Sequence, residues 1–406
     1  MPDWINVEQT HTPGNTAEVA DVVRNAAEQS TPVFPLGGAT SLDYGLPATD
    51  PGWSLSLAGL NQIVDYPDRD MTITVGSGVT MKSISDALSE NGQRLPIDVP
   101  NSEQATIGGV VACNWNGPLR YSMGTVRDYV IGIEGVDGRG TVFKGGGRVV
   151  KNVAGYDFCK LLTGSLGTLA VITQLTLKVK PVPTESAWVV CPLDSPQQAD
   201  SLIESLTTSS PVPAAAVELV GGPQWQESLA IQAESAHWLL IALEGSSTEL
   251  KWMIDSLSNE WAGQHKLSVV QGEQAERIWQ ALTEFPASGD SALVVGLSVI
   301  PSRLVATIDA LVEVDSTVRW LSHAASGIIV AHFADFPQIG VSRAVTGQLR
   351  TAAAHGQGHV SILRNRDKTE VSRNSVWGAP TALSLMKSVK QQFDPNNILN
   401  RGRFVY

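Results

Sequence analysis

The chain has 406 residues, too many for one hydrophobic core, and two domains are expected. With 43% hydrophobic and 17% charged residues it has the composition of an ordinary globular protein, and a net charge of -12 excludes the basic footprint a nucleic-acid partner needs. No apolar run approaches the roughly 20 residues of a membrane span, so no direct membrane insertion is expected. The opening residues, MPDWINVEQTHTPGNTAEV, lack the basic and apolar regions of a secretory signal, which predicts a cytoplasmic location. Cys113, Cys159 and Cys191 are far apart and odd in number, the pattern of a reducing compartment without a disulfide framework. An iron–sulfur cluster, if one takes part, would sit on another chain.

In chain order, Thr16 is expected to cap a helix over residues 17–28, with Val19, Val22, Val23 and Ala26 on one apolar face. A short strand, Val33 to Leu36, runs into Gly37-Gly38-Ala39-Thr40-Ser41. That loop reads either as a plain turn or as a cradle in which backbone N–H groups and two hydroxyls hold a phosphate. Residues 53–57 and 71–75 alternate and predict half-buried strands, and residues 80–90 predict a helix stopped by Asn91-Gly92. The stretch Val99 to Gly124, VPNSEQATIGGVVACNWNGPLRYSMG, reads as a binding loop, because the amides of Gly108 and Gly109 can lie flat against a ligand. Residues 130–136 and 141–143 predict a hairpin across Asp137-Gly138. A short helix ending at Leu162 and a long strand over residues 169–180 follow; alternation of Leu175, Leu177 and Val179 with Thr176, Lys178 and Lys180 predicts one wet face. Pro181 and Pro183 mark a domain boundary.

Beyond residue 185 strands alternate with helices. Strands are expected over residues 188–191, 215–220, 238–244, 293–300, 327–333 and 360–363, with helices over 196–206, 247–261, 302–311, 341–355 and 380–393. This rhythm suits an α+β layer with an antiparallel sheet. There is no G-x-x-x-x-G-K-[ST], no complete G-x-G-x-x-G, no G-x-S-x-G and no H-E-x-x-H, which removes P-loop, Rossmann, serine-hydrolase and zincin chemistry.

The order of the pieces carries more than any single one. Strand–GGATS, then TVGSGVTMKSISDAL, ATIGGVVACNWNG, YSMG and VAGYDFCKLLTGSLGTLAVITQLTLKVKP resembles the FAD-binding domain of the vanillyl-alcohol-oxidase (p-cresol methylhydroxylase, PCMH-type) flavoproteins. The terminal KQQFDPNNILNRGRF resembles that family's closing segment, and the whole chain is similar to the smaller FAD-binding subunit of bacterial three-subunit glycolate oxidases. The resemblance implies an α+β fold: a two-subdomain PCMH-type FAD-binding domain over residues 1–182, an α/β cap domain with an antiparallel sheet over 183–375, and a segment 376–406 returning to the FAD domain. It also implies FAD as cofactor. Leu36, Gly37, Gly38, Ala39, Thr40 and Ser41 would wrap the pyrophosphate, and Thr106, Ile107, Gly108 and Gly109 would form a second wall. Ala112, Cys113, Asn114 and Gly117 would run beside the isoalloxazine ring, with Arg120 and Gly124 near the flavin or ribityl chain and Ile172 at the adenine end. Relatives that tether FAD through histidine place it where Ala39 stands, and no histidine lies between His11 and His237, so noncovalent FAD is expected.

For oxidation of a 2-hydroxy acid such as glycolate, a base and a carboxylate clamp are needed. His359 and Arg364 are the candidates in the second domain, although five residues apart on a strand they are expected on opposite faces. Pairing His355 with His359 on a metal lacks further ligands nearby, and no metal is expected. Tyr156 is a third candidate, while Asp157 reads as a helix cap; Lys151 and Arg401 are either anion contacts or surface charges. The resemblance implies two further partners, a larger FAD-binding subunit and an iron–sulfur subunit. Two functions stay open: a dehydrogenase acting alone, or a flavin-carrying subunit that works only within a complex.

Overall fold

The computed structural model describes residues 4–147, 155–231, 235–263 and 265–406. The chain forms two units. The first comprises Met1–Asn116, Gly124–Val182 and Ala379–Tyr406; the second comprises Gly117–Met123 and Pro183–Gly378. Seven residues inside the stretch expected for the first domain therefore pack with the second unit.

Among the described residues the first unit holds two larger sheets and a two-stranded one that pairs Gln93–Arg94 with Lys180–Pro181. Strands Asn6–His11, Pro51–Ser56 and Val33–Leu36 form a parallel sheet in that order. The helix Thr16–Glu28 buries Val19, Ala20, Val23 and Ala26 in one core with Val33, Leu55, Val136 and Val171. Its cap is Asn15, whose side chain accepts from the Glu18 amide at 3.0 Å, and not Thr16, whose hydroxyl instead reaches Glu134 at 2.6 Å. The second sheet is antiparallel, in the order Ile63–Asp65, Thr72–Gly76, Ala170–Lys178, Val130–Asp137, Val142–Gly146. Its polar face is drier than alternation predicts. Thr72, Thr74 and Thr176 are buried, and the Thr74 and Thr176 hydroxyls bond each other at 3.0 Å, which satisfies both away from water.

The second unit is an eight-stranded antiparallel sheet, in the order Ser268–Val270, Glu185–Leu193, His237–Gly245, Ala216–Gly221, Arg319–His323, Ile328–Phe333, Leu293–Ser298, His359–Asn365. One face carries Trp188, Val190, Trp238, Leu240, Leu321 and Val330, and is covered by Trp225, Leu229, Ile278, Leu282 and Phe285. Burying aromatic and branched side chains at this density supplies most of the unit's stabilisation, at roughly 25 cal/mol per Å² of apolar surface. Helix Arg120–Met123 belongs here through Leu119 and Met123, which join the same core. The helix expected over 341–355 is π-helical over Arg343–Leu349 before continuing as α-helix over Arg350–His355.

Candidate functional site: a glycine-lined cleft in the first unit

The stretch expected to be a binding loop is a short helix, Ile107–Cys113. Thr106 caps it: its hydroxyl lies 3.4 Å from the Gly109 amide. The strand ending at Gly76 leads into Ser77, whose carbonyl takes the Gly108 amide at 2.9 Å, and Val79 takes the Ile107 amide at 2.9 Å. Gly108 is therefore not an amide donor to a ligand. A Cβ there would stand 2.7 Å from the Ser77 Cβ, so glycine allows the helix to pack on Ser77. Gly109 differs: the nearest atom to a Cβ would be the Thr106 hydroxyl at 3.5 Å.

The helix faces the loop that follows Val33–Leu36. A Cβ on Gly37 would strike the Thr106 hydroxyl, and one on Gly38 the Gln104 carbonyl. Absence of side chains lets the two walls touch. Ala39 takes a left-handed conformation, φ 57°, which turns the loop. Among the described residues no oxygen accepts the amide hydrogens of Gly37, Gly38, Ala39, Thr40 or Ser41. Five successive amide donors with no protein partner are an anion cradle of the kind backbone nests form.

Between these walls lies a cleft that is partly open to solvent. Of the expected cofactor residues, Leu36, Gly37, Gly38, Ala39, Thr40, Ser41, Thr106, Gly108, Gly109, Ala112, Cys113 and Ile172 line it. Ile107 is buried behind the wall. Asn114 closes the helix in the left-handed region at φ 56°, and Gly124 (φ 85°) sits against Asp128, which accepts from the Thr125 amide at 2.8 Å. Neither lines the cleft. Gly117 and Arg120 pack with the second unit, where burial lowers the Arg120 pKa and the charge of Glu218 opposes that shift.

Further residues complete the cleft. Gly167, Ala170 and Leu166 form another side, and the C-terminal segment supplies Asn400 and Arg403. Asn400 donates to the Leu166 carbonyl at 2.6 Å. Behind them Lys390 donates to the carbonyls of Thr168 (2.7 Å) and Leu399 (3.0 Å) and to Asp394 (2.6 Å). Asp394 in turn accepts the amides of Ile398 and Leu399 at 3.0 and 2.7 Å. Arg403 is 6% exposed and donates to the carbonyls of Leu42, Tyr44 and Leu46. Burial brings its pKa down to about 10, so it is charged at neutral pH. Burial pushes the Cys113 thiol up to about 11, with Arg403 and the Ser41 hydroxyl opposing, so the thiol is protonated. Trp115 donates its indole N–H to Ser41 at 2.9 Å. Sequence reasoning returns the closing segment to the FAD domain but gives Tyr44, Trp115, Asn400 and Arg403 no cofactor role, because only the fold brings them to the loop at 37–41.

The three expected catalytic residues are not among those lining the cleft. Tyr156 is 87% exposed on the first unit. Asp157 caps the helix Phe158–Leu162, accepting from the Lys160 amide at 3.0 Å. Lys151 falls outside the described residues. In the second unit a bulge between Val294 and Val295 pairs His359 with Ser298 and Arg364 with Val294. Because 294 and 298 share a face, His359 and Arg364 do too, contrary to the spacing argument. Arg364 donates to the carbonyls of Ala287 and Gly289 at 3.2 and 3.3 Å. Arg401 donates to the carbonyls of Asn397 and Ser30 and lies 3.5 Å from Asp50. Among the described residues no group of three or more His, Cys, Asp or Glu is placed to hold a metal, and no helix is long and apolar enough to cross a membrane.

Comparison with known proteins agrees with the cleft. Residues 8–146 match the family described as the FAD binding domain, and residues 376–404 match the C-terminal domain of FAD linked oxidases. The D-lactate dehydrogenase of Archaeoglobus fulgidus is 28% identical, with 97% of this chain and 90% of the relative covered. Glycolate oxidase subunit GlcE of Escherichia coli is 29% identical, with 94% and 95% covered, and subunit GlcD of Bacillus subtilis is 26% identical, with 99% and 89% covered. A solved alkyldihydroxyacetonephosphate synthase shares the fold, with a TM-score of 0.70 over 97% of this chain and 75% of that one at 18% identity. Residues 8–146 thus form an FAD binding domain and residues 376–404 the C-terminal domain of FAD linked oxidases, and the chain is an FAD-linked oxidoreductase whose relatives act on CH–OH groups.

Proposed function

We propose that this chain is the FAD-carrying subunit of a glycolate oxidase complex, which oxidises glycolate to glyoxylate together with a larger FAD-binding subunit and an iron–sulfur subunit. The run of unpartnered amides from Gly37 to Ser41 supports the cofactor half of this reading most directly. The two negative phosphates of FAD match those donors, which line the cleft. The fit extends to the walls: Gly109 leaves room beside Thr106, and Ala112 and Cys113 continue one wall from the helix. Bound FAD supplies the two-electron acceptor. The chain supplies the pyrophosphate cradle, shields the cofactor from water and presents no histidine at position 39 for a covalent link. Similarity to GlcE over 95% of that subunit's length favours the subunit assignment.

A dehydrogenase acting alone, on glycolate or D-lactate, is the second reading, supported by the similarity to D-lactate dehydrogenases. The tests share one preparation. Purified chain is expected to carry FAD released by heat or acid, and its flavin absorbance is expected to persist when glycolate or D-lactate is added without oxygen. Bleaching by either acid in the isolated chain overturns the requirement for partners and establishes the second reading.

A further inference from the structure

We propose that the second unit carries a docking face for a partner protein: a cluster of arginine and histidine side chains around the end strand of its sheet, which receives a carboxylate-rich segment of that partner. The proposal deepens the subunit reading above and rests on it for the partner. The chain as a whole has 28 Lys and Arg against 40 Asp and Glu, yet residues 341–373 hold six of the former and two of the latter. This reversal of charge falls on His359–Asn365, the last strand of the eight-stranded sheet, and on the helices that flank it.

Five basic groups meet there. Arg350 opens the helix that ends at His355. Its Nη atoms donate to the carbonyls of Asn374 at 2.6 Å and of Val360 and Ser375 at 3.2 Å. That fork fastens the helix both to the end strand and to the short helix Arg373–Trp377, which Arg373 begins. At the start of the strand, burial and the Arg350 charge hold the His359 pKa below its ordinary value, so the two groups lie within electrostatic reach. Next to His355, a Cβ on Gly356 would stand 3.1 Å from the Arg303 Cβ, and the Gly356 carbonyl accepts the Ile300 amide at 3.1 Å. Arg303, His355, His359 and Arg373 are exposed, and so is the apolar Ile300 beside them.

Among the described residues none of these five groups is in an ion pair. Exposed cations on other elements do have a carboxylate beside them: Arg24 has Asp21, Lys82 has Asp86 and Lys251 has Asp255. On a chain of net charge -12, an uncompensated basic face directs where an acidic partner approaches. Arginine pairs with carboxylates through a fixed fork, and arginine beside an apolar side chain is the mixture protein interfaces favour. A nucleic acid would meet the acidic remainder of the chain along its length, which disfavours it as the occupant.

The test follows binding of a fluorescein-labelled poly-glutamate peptide to the purified full chain by anisotropy. Wild type is compared with the triple variant Arg303→Gln, His355→Gln, Arg373→Gln. The control is Arg24→Gln, Lys82→Gln, Lys251→Gln, which removes at least as much positive charge from cations that already have a partner. The first variant is expected to weaken binding roughly tenfold, as loss of three exposed pairs implies. The control is expected to stay within about twofold, because those charges are distant and screened. No binding by wild type, or equal weakening in both variants, would overturn the proposal. A DNA duplex of equal charge that binds more tightly than the peptide would overturn the protein partner. If the triple variant does not fold, Arg303→Gln alone, in an exposed turn, decides by the same comparison. Reduction of the isolated chain by glycolate beside intact peptide binding would refute the subunit reading while supporting the face. A flavin reduced only with partner chains present, beside absent peptide binding, would refute the face alone.

Discussion

The cleft of the first unit and the polar row on the second unit's sheet treat their polar groups differently. Along the cleft, the amides from Gly37 to Ser41 have no acceptor among the described residues. Along the row Arg319, His332, Val294 and Arg364, each polar side chain finds at least one partner within its own unit, although Arg319 Nε and His332 Nε2 are buried without one among the described residues. Arg319 stacks 4.3 Å over Trp225 and donates to the Ser228 hydroxyl at 2.7 Å. His332 lies 3.1 Å from the Ser291 hydroxyl with its ring 4.3 Å from that of Phe285, and Arg364 holds two carbonyls. Side chains of a type that suggests catalysis in the sequence bond within their own unit in one place, while plain backbone donors line a cleft in the other.

The contrast yields measurements of decreasing size. Lys390→Met removes one half of a buried pair and leaves Asp394 charged in the core, which should cost about 3–5 kcal/mol. Because Lys390 also anchors Thr168 and Leu399, flavin retention should fall with stability in a denaturant titration followed by absorbance; an unchanged midpoint would detach the C-terminal segment from the cleft. On the second unit, burial and the neighbouring Arg364 and Arg319 hold the His332 pKa down to about 3. The folded protein then leaves His332 neutral while the unfolded chain protonates near its ordinary value of about 6.5. Between these limits the unfolded state binds more protons, so stability is flat above about pH 6.5 and falls by up to about 1.4 kcal/mol per pH unit below it. His332→Gln should flatten that slope without changing flavin content at neutral pH. A His332→Gln protein with an unaltered slope would place the acid sensitivity elsewhere.

The two glycines at the start of the helix separate packing from binding. Gly108→Ala presses on Ser77 and should destabilise even the apoprotein by about 1–3 kcal/mol. Gly109→Ala should leave apoprotein stability unchanged within about 0.5 kcal/mol, so any loss of flavin in it reports on the ligand alone. Equal destabilisation by both would mean that Gly109 also faces protein. The smallest effect is expected at the row. Arg364→Lys gives up the fork onto Ala287 and Gly289 for about 1 kcal/mol of stability, with flavin content unchanged. Loss of flavin in Arg364→Lys would contradict the division drawn between the two regions.

Much of the cleft was legible in the chain, because the family's motifs are local. Strand–GGATS places its own amides, and the serial order of motifs predicts the fold class. The rest depends on tertiary contacts. IGGVVAC carries two glycines and reads as loop; it is helical because Thr106 caps it and the carbonyls of Ser77 and Val79 hold its first turn. The opposite-face inference for His359 and Arg364 is undone by a single bulge, which no period-of-two argument detects. Strand Arg319–His323 is not predicted because its buried Ser322 and His323 break the apolar alternation from which strands are read. Arg403 joins the loop at 42–46 across more than 350 residues, a distance local patterns do not span.

The central claim is that the cleft between Gly37–Ser41 and Thr106–Cys113 holds FAD through backbone donors. The most direct measurement is the flavin content of Gly109→Val beside wild type and Gly109→Ala, read as absorbance of FAD per folded chain. Wild type should carry near one FAD, and Gly109→Val, folded by circular dichroism, should carry little. A folded Gly109→Val protein with its full complement of FAD would contradict the account.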